Sequence, residues 1–329
     1  METKILYITP PPYRSFLKKD AKLLKKYYKM RVIIFDKLSP PLIFKLFKGV
    51  LWADITFSWF ADTHAFLAVL LSKLFRKKSI VVVGGYEVAN VPEIGYGLLV
   101  SPKSARKVKY VLENADRVLT VDESLKKDAI NNVGVSGKNI QTVPTGYDIN
   151  KWKFEGKKED LVITVGGVKR TNIKIKGFET FVRAAKYLPN IKFALIGPHL
   201  DDSIEYLKSI APSNVEFTGF LPPDKLVKWY QRAKVYCQLS MREGLPNALC
   251  EAMLCECVPV GTKHGGIPTA ICDTGFYVPY GDPKATAEAI KKALKSDKGK
   301  IARERIKSMF PLERRERDLI GIIEEIMGK

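Results

Sequence analysis

Short apolar runs alternate with longer amphipathic segments along almost all of the 329-residue chain. The short runs have the length of buried strands, and the segments between them suit helices. Because strands that alternate with helices form parallel sheets with helices on both faces, the pattern predicts an α/β fold. The predicted strands are 4–9, 31–36, 53–59, 79–85, 117–122, 140–146, 161–167, 191–197, 215–219, 234–240, 258–262 and 275–279.

These strands form two series, one in each half of the chain. The stretch 147–158 between the series is polar and aromatic and has little periodic pattern, which is typical of a connection. The length also exceeds that of one ordinary α/β core. We therefore expect two Rossmann-like domains, residues 1–152 and 153–309.

Two glutamates, Glu243 and Glu251, flank the turn Gly244-Leu245-Pro246-Asn247. Pro246 can begin a helix, because its missing N–H would have no partner there. Backbone N–H groups at such a turn, together with the helix N-terminus, suit a phosphate or pyrophosphate. Carboxylates beside an anion are favourable when they accept hydrogen bonds from hydroxyls, so the pattern favours a nucleotide sugar.

An ordinary surface helix with glutamates near its first turn is the alternative interpretation. The position of the stretch argues against it. Strand-like residues 234–240 precede the turn and residues 258–262 follow the helix. The turn therefore connects a strand to a helix, where ligands bind in open parallel sheets.

The run Ser240-x-x-Glu243-Gly…Glu251-Ala-Met…Val258-Pro-Val…Gly265-Gly-Ile-Pro268 resembles the donor-site signature of family-4 retaining glycosyltransferases, glycosyltransferase group 1. The resemblance implies the GT-B architecture, in which two Rossmann-like domains have parallel sheets that face across a substrate cleft. It also implies that a C-terminal helix, within residues 310–329, returns to the first domain.

By this resemblance, Glu243 contacts the hydroxyls of the donor sugar, Glu251 contacts the ribose, and Lys176 matches a lysine that holds the diphosphate. Gly167 stands where the family has an arginine, and Lys169 or Arg170 can substitute for it; a solvated basic loop is the alternative. The donor-binding candidates are Gly167, Lys169, Arg170, Leu221, Gly244, Leu245, Pro246, Asn247, Glu251, Gly265 and Gly266.

Acceptor candidates lie at the carboxyl ends of two strands of the first half. Aromatic and polar residues in 57–64 suit stacking on a sugar or a lipid headgroup, and a glycine pair in 83–88 lets backbone approach a ligand. An apolar helix start capped by Asp62 is the alternative. The candidates are Trp59, Asp62, Gly84, Gly85 and Tyr86, and His64 joins Glu243 and Lys176 in the predicted catalytic set.

The net charge is +20, and the first fifty residues hold twelve Lys or Arg against three Asp or Glu. A helical projection places Lys18, Lys19, Lys22, Lys25, Lys26 and Lys29 on one arc. A basic helix of this kind predicts attachment to an anionic membrane, and solvated lysines are the alternative. No nucleic-acid recognition module is recognisable, so no nucleic acid is expected as a partner.

The leading hypothesis is a retaining, hexosyltransferase-like enzyme that moves a sugar from a UDP- or GDP-sugar to a lipid-linked acceptor or a cell-surface glycan precursor. The absence of Asp-x-Asp predicts that no metal or other cofactor is required. A nucleotide-sugar epimerase or a phosphorylase of the same fold, and a catalytically degenerate binding protein, are the alternatives. With no signal-peptide pattern and no long apolar stretch, a cytoplasmic protein, peripheral on the inner face of the membrane, is expected.

Overall fold

The computed structural model describes residues 2–12 and 15–328. The chain divides into two compact units. Unit 1 contains the residues up to Gly146 together with those from Glu313 onward, and unit 2 is Tyr147–Leu312. Each unit is built on its own six-stranded sheet.

Unit 1 contains the first six strands. They are β1 (Lys4–Thr9), β2 (Lys29–Ile34), β3 (Ile55–Trp59), β4 (Lys78–Val83), β5 (Arg117–Thr120) and β6 (Ile140–Thr142). The strand order is β2-β1-β3-β4-β5-β6, and all the pairings are parallel. In register, Ile5 of β1, the strand next to the edge strand β2, pairs with Met30 on one side and with Ile55 on the other.

Unit 2 also contains six parallel strands, in a different order. Its strands are β7 (Glu159–Val165), β8 (Lys192–Ile196), β9 (Val215–Gly219), β10 (Ala233–Gln238), β11 (Val258–Gly261) and β12 (Phe276–Tyr277). The order is β12-β11-β10-β7-β8-β9, again with parallel pairings. Strand β10, which precedes the two glutamates, is therefore an interior strand.

Helices connect the strands in both units. They are α1 (Ser15–Leu24), α2 (Pro40–Trp52), α3 (Thr63–Leu74), α4 (Pro102–Asn114), α5 (Glu123–Asp128), α6 (Arg170–Ile175), α7 (Phe178–Ala184), α8 (Ser203–Ile210), α9 (Pro223–Arg232), α10 (Asn247–Leu254), α11 (Ile267–Ile271), α12 (Pro283–Leu294), α13 (Lys298–Met309) and α14 (Leu312–Met327). Among the described residues, none of these helices has the length and apolar character needed to cross a membrane.

All twelve predicted strands are present, which confirms the α/β class with two parallel sheets. The largest difference is at the sixth strand, which was expected to reach residue 146 but ends at Thr142. Buried strands such as β4, in which only Lys78 is exposed, explain the agreement. Strands that are covered on both faces are continuously apolar, and this pattern is visible in a sequence.

The basic N-terminal helix is shorter than its lysine pattern predicts. Helix α1 ends at Leu24, and Lys29 already belongs to strand β2, where its N–H donates to the Thr3 carbonyl. Lys26 lies between these elements and pairs with Glu316 at 2.8 Å. The prediction of one helical arc of six lysines is therefore wrong, because pairing of β2 with β1 competes with continuation of the helix.

A buried ion pair holds the C-terminal helix α14 on unit 1. Arg315 is 0% exposed, and its Nη2 lies 2.7 Å from Oδ2 of Asp20 on α1. Its Nη1 donates to the carbonyl of Val143, and the indole Nε1 of Trp59 donates to the same Asp20 oxygen at 3.1 Å. The carboxylate is thereby shared between α1, α14 and the end of β3. Satisfied in this way, a buried charge pair fixes the position of α14.

Replacing Arg315 by Ala should leave the Asp20 carboxylate buried without its cation. We expect the free energy of unfolding to fall by about 3–5 kcal/mol. Arg317→Ala, at an exposed position of the same helix, should change it by less than about 0.5 kcal/mol. Chemical denaturation measures both values, and equal effects for the two variants would contradict the role of the pair.

Candidate active site

The carboxyl end of β10 places three polar side chains close together. Gln238 ends the strand, Ser240 follows it, and Glu243 lies in the loop that leads to α10. Oε1 of Glu243 accepts from Oγ of Ser240 at 2.7 Å and from Nε2 of Gln238 at 2.9 Å. The strand and the loop after it therefore orient one carboxylate.

Lys176 completes this arrangement from another segment. It follows α6, and its Nζ lies 2.5 Å from Oε1 of Glu243. The side chains of Lys176 and Glu243 are 29% and 12% exposed, so the ion pair is mostly shielded from solvent but still reachable. A charge-assisted hydrogen bond in such a place is stronger than one at an open surface.

Tyr236 sets the direction of the hydrogen bonds below this carboxylate. Burial raises the pKa of Tyr236 well above its ordinary value, and the negative charge of Glu243 adds to the effect. The hydroxyl therefore keeps its proton and donates to Oε1 of Gln238 at 3.2 Å. With its oxygen occupied, the Gln238 amide presents its N–H groups to Ser240 and Glu243.

Two glycines let the surrounding loops approach this site. Gly177 has φ +66°, and a Cβ there would lie 2.3 Å from the Leu239 carbonyl oxygen. Gly265 has φ +55°, and a Cβ there would lie 2.0 Å from the carbonyl oxygen of Glu243, which also accepts from the Gly266 N–H at 3.3 Å. Gly265 and Gly266 thus hold the backbone of Glu243 in place.

Gly265→Ala should displace the Glu243 loop, because the added methyl group cannot coexist with that carbonyl. We expect the Kd for the nucleotide sugar that the sequence analysis predicts as ligand to rise by about tenfold or more. Gly281→Ala is the matched control, since Gly281 has φ +78° but open space around it. Isothermal titration measures both, and equal losses of affinity would show that backbone strain alone is responsible.

Helix α10 begins one residue later than the sequence predicts. Pro246 has extended backbone and is the N-cap, and Asn247 is the first helical residue, after Gly244 and Leu245 of the turn. Oδ1 of Asn247 is buried and has no hydrogen-bond partner among the described residues. An N-terminus carries partial positive charge, so α10 presents backbone donors beside this polar side chain.

Glu251 lies one turn further along α10 and is 8% exposed. Burial, followed by the charge of Glu251, raises the pKa of the fully buried Tyr230 well above its ordinary value. Both glutamates of the turn thus belong to largely enclosed positions rather than to an exposed helix surface. The alternative of a plain surface helix is wrong for this segment.

The predicted phosphate loop follows β7. Its Gly167 carbonyl accepts from Nδ2 of Asn172 at 2.7 Å, and a Cβ at Gly167 would lie 3.0 Å from Leu200. Lys169 and Arg170 are exposed at the start of α6, and the Arg170 N–H donates to Asp201 at 2.9 Å. Two exposed cations therefore lie at the start of the short helix α6, and Lys176 directly follows its end. Leu221 is partly buried just after β9.

Unit 1 places two predicted residues in its interior. Trp59 is 1% exposed, and His64 is 4% exposed with Nε2 2.7 Å from the Trp59 carbonyl oxygen. Burial lowers the pKa of His64, and the hydrogen bond to Trp59 acts in the opposite direction. Such enclosure leaves neither ring a face for a ligand. We therefore assign both to packing, which corrects the expectation that His64 takes part in catalysis and that Trp59 stacks on a substrate.

Asp62 caps helix α3, since its Oδ1 accepts from the Thr63 N–H at 2.6 Å. Gly84 and Gly85, after β4, donate their N–H groups to the two carboxylate oxygens of Glu87 at 3.0 and 2.9 Å. Burial raises the pKa of Glu87, and these backbone hydrogen bonds act against the rise. The buried carboxylate of Glu87 thus fixes the backbone of the two glycines.

Tyr86 of the same loop is 46% exposed, and its ring meets that of Tyr96 edge to face with centroids 5.0 Å apart. The loop after β4 therefore combines a partly exposed Gly84 with the exposed ring of Tyr86, whereas Gly85 is buried. Of the predicted acceptor residues, Gly84, Gly85 and Tyr86 lie on this loop and stay predictions.

The buried His64 predicts a dependence of stability on pH. The unfolded chain has the ordinary histidine pKa, so below about pH 6.5 it binds more protons than the folded chain. The free energy of unfolding therefore decreases as the pH is lowered. His64→Asn should remove part of this fall. The exposed His199 provides the control, because His199→Asn should keep the wild-type slope between about pH 7.5 and 5.5. Identical slopes for all three proteins would contradict the prediction.

Sequence reasoning missed Gln238 and Glu87, and it included Ser240 in the signature without predicting its hydrogen bond to Glu243. A polar residue at the end of an otherwise apolar strand is the signal that could have indicated Gln238, since β10 is buried throughout its last four residues. Ser240 lies two positions after Gln238 and therefore follows the same alternation of side-chain direction along the extended chain. For Glu87, an acid two residues after a glycine pair carries no such signal, because its role depends on where the loop folds.

Known proteins are similar to this chain in sequence and in fold. Residues 148–309 match the family model described as "Glycosyl transferases group 1". The chain is 25% identical, over 79% of its length and 72% of the relative's, to N-acetyl-alpha-D-glucosaminyl L-malate synthase of Bacillus anthracis. It is 22% identical to one subunit of the phosphatidylinositol N-acetylglucosaminyltransferase of Arabidopsis thaliana, over 64% of this chain, and spans about half (49%) of that relative.

Solved structures share the fold along nearly the full chain. HepE of Anabaena, in complex with UDP and glucose, matches with a TM-score of 0.82 at 14% identity, covering 98% of this chain and 100% of HepE. Sucrose-phosphate synthase of Thermosynechococcus elongatus matches with a TM-score of 0.78 at 18% identity, covering 99% of each chain. These likenesses confirm the GT-B fold class.

Proposed function

We propose that this chain, which through residues 148–309 belongs to the glycosyl transferases group 1 family, transfers a sugar from a nucleotide-diphosphate sugar to an acceptor hydroxyl. The observation that carries the proposal is the carboxylate of Glu243, held by Lys176, Gln238 and Ser240 just before the N-terminus of α10. Such a site combines one oriented acid with donors for an anion.

Glu243 serves the donor sugar in this proposal. In the described site its three hydrogen-bond donors all meet Oε1. Oε2 is then available to accept from sugar hydroxyls. A carboxylate that is already fixed by its neighbours binds a hydroxyl without further ordering, which favours both affinity and correct placement of the sugar.

The diphosphate is held by cations and backbone donors. The Lys176 ammonium has three N–H donors, so it can keep its bond to Glu243 and still reach a phosphate oxygen. Lys169, Arg170 and the first turn of α10 supply further positive charge. When the bond from sugar to phosphate breaks, its electrons stay on the diphosphate, and preorganised positive groups stabilise that charge. Glu251 contacts the ribose.

For the acceptor we propose the loop after β4, with Gly84, Gly85 and Tyr86. An exposed tyrosine ring can stack on the apolar face of a sugar. The acceptor class is a glycan or a lipid-linked glycan precursor, and the transfer retains the anomeric configuration. HepE in complex with UDP supports a UDP-sugar as the first donor to test.

Glu243→Gln keeps the shape of the side chain but removes its charge. We expect kcat/KM for sugar transfer to fall by about 10²-fold or more. Glu288→Gln is the control, because Glu288 forms a Glu–Lys pair of similar length, 2.7 Å, at an exposed surface. It should leave kcat/KM unchanged.

Nuclear magnetic resonance of the product determines the anomeric configuration. An inverted product would contradict retention.

A thermal-shift panel of UDP, GDP, ADP, CDP and their sugar conjugates identifies the donor. We expect one nucleotide series to raise Tm selectively, and Glu251→Ala to weaken its binding, since ligands that bind only the folded state stabilise it. An unchanged Kd in this variant would reject the ribose role.

Activity assays test two further points. Activity that persists in the presence of a chelator agrees with cationic side chains taking the place of a metal. Conversion of the donor without acceptor would instead indicate an epimerase.

A further inference from the structure

Helix α2 carries apolar side chains on its outer side as well as on its inner side. Its sequence, PPLIFKLFKGVLW, contains only two charged residues, Lys45 and Lys48. The inner side packs into the core of unit 1 through Leu46 and Val50, both 0% exposed. Its outer side leaves Phe44 57% exposed and Leu51 44% exposed. A helix of this composition normally has both sides covered, so the outer side requires a partner.

The edge of the sheet beside α2 exposes apolar side chains as well. Strand β2 is the end of its sheet, and Val32 and Ile34 are 38% and 45% exposed. Leu38, between β2 and α2, is 61% exposed. We call the outer side of α2 and the exposed residues of 31–38 the α2–β2 face. The two parts follow each other in the chain.

Positive charge is interleaved with these apolar side chains. Arg31, Lys45 and Lys48 line a groove of about 510 Å³ between β2 and α2. The Arg31 guanidinium lies 4.2 Å from the ring centre of Trp52, and the Lys48 ammonium lies 4.4 Å from that of Phe44. In the described part of the chain, none of the three cations forms an ion pair.

The charge of the whole segment has the same sign. Residues 29–53 contain five Lys or Arg and one acid, Asp36. Cations that flank exposed aromatic and aliphatic tips are complementary to a surface with anionic headgroups above an apolar interior. The groove between Arg31, Lys45 and Lys48 suits a phosphate group, and the tips of Phe44 and Leu51 suit the acyl boundary.

We propose that the α2–β2 face docks the protein on a bilayer that contains anionic phospholipid. A second copy of the chain fits this face less well. A two-fold contact places the same patch against itself, so Arg31, Lys45 and Lys48 would approach their own equivalents. The proposal does not depend on the sugar transfer proposed above, and it assigns membrane contact to α2 and β2 rather than to α1.

Vesicle flotation of the full chain tests the proposal. The protein should float with phosphatidylcholine vesicles that contain about 30% phosphatidylglycerol and should stay behind with pure phosphatidylcholine. Raising the salt from about 0.1 M to about 0.5 M should weaken binding without abolishing it, because the apolar contact is not screened. Failure to float with anionic vesicles would overturn the proposal.

Two variants separate charge from apolar insertion. Lys45→Glu/Lys48→Glu should lower the partition coefficient by at least about 30-fold. Phe44→Ser, at a 57% exposed position, should lower it by about tenfold and leave the salt dependence intact. The control Lys103→Glu/Arg106→Glu makes the same charge change at the same spacing on α4, at exposed positions, and should stay within about threefold of wild type.

Three outcomes would contradict the assignment. Equal losses in the α2 and α4 variants would show attraction by net charge alone, without a docking face. Light scattering that finds a dimer, disrupted by Phe44→Ser, would show that a second copy covers the face. Equally tight binding of free glycerol phosphate would show that the groove recognises a soluble phosphate ester and not a membrane. Circular dichroism confirms that each variant is folded.

Discussion

The parallel direction of the strands is the constraint on which the candidate site depends. In both described sheets, neighbouring strands run the same way, so their carboxyl ends lie at one edge of each sheet. The loops that carry Lys176 and Glu243 leave adjacent strands, β7 and β10, at that edge. Residues 67 positions apart in the chain thereby meet at 2.5 Å.

Electrostatics then decides what such an edge can bind. Glu243 brings a negative charge to a place that otherwise presents lysines, an arginine and a helix N-terminus. Its three donors fix the position of the carboxylate, so the charge costs less in the ligand-free protein than it would without partners. A ligand that combines an anion with hydroxyls satisfies both kinds of group, which is the chemistry of a nucleotide-diphosphate sugar.

Unit 1 contains both a buried, paired arginine and a group of exposed cations. Arg315 is fully buried and shared with Asp20 and a backbone carbonyl, so its charge serves the attachment of α14. Arg31, Lys45 and Lys48 remain at the surface beside exposed apolar side chains. The first arrangement stabilises the folded chain, whereas the second leaves apolar area and positive charge for a partner outside it.

The sequence by itself determined the α/β class and the twelve strands, and it pointed to the turn between the two glutamates as the candidate site. Apolar runs mark buried parallel strands because both faces of such strands are covered, and a turn before a helix is a local pattern. Only the tertiary structure decided that α1 ends before Lys25 and that Trp59 and His64 are core residues. It also showed that Gln238 and Ser240 orient Glu243. These features depend on which distant segment covers a side chain or competes for its backbone, and periodicity along one segment contains no record of that neighbour.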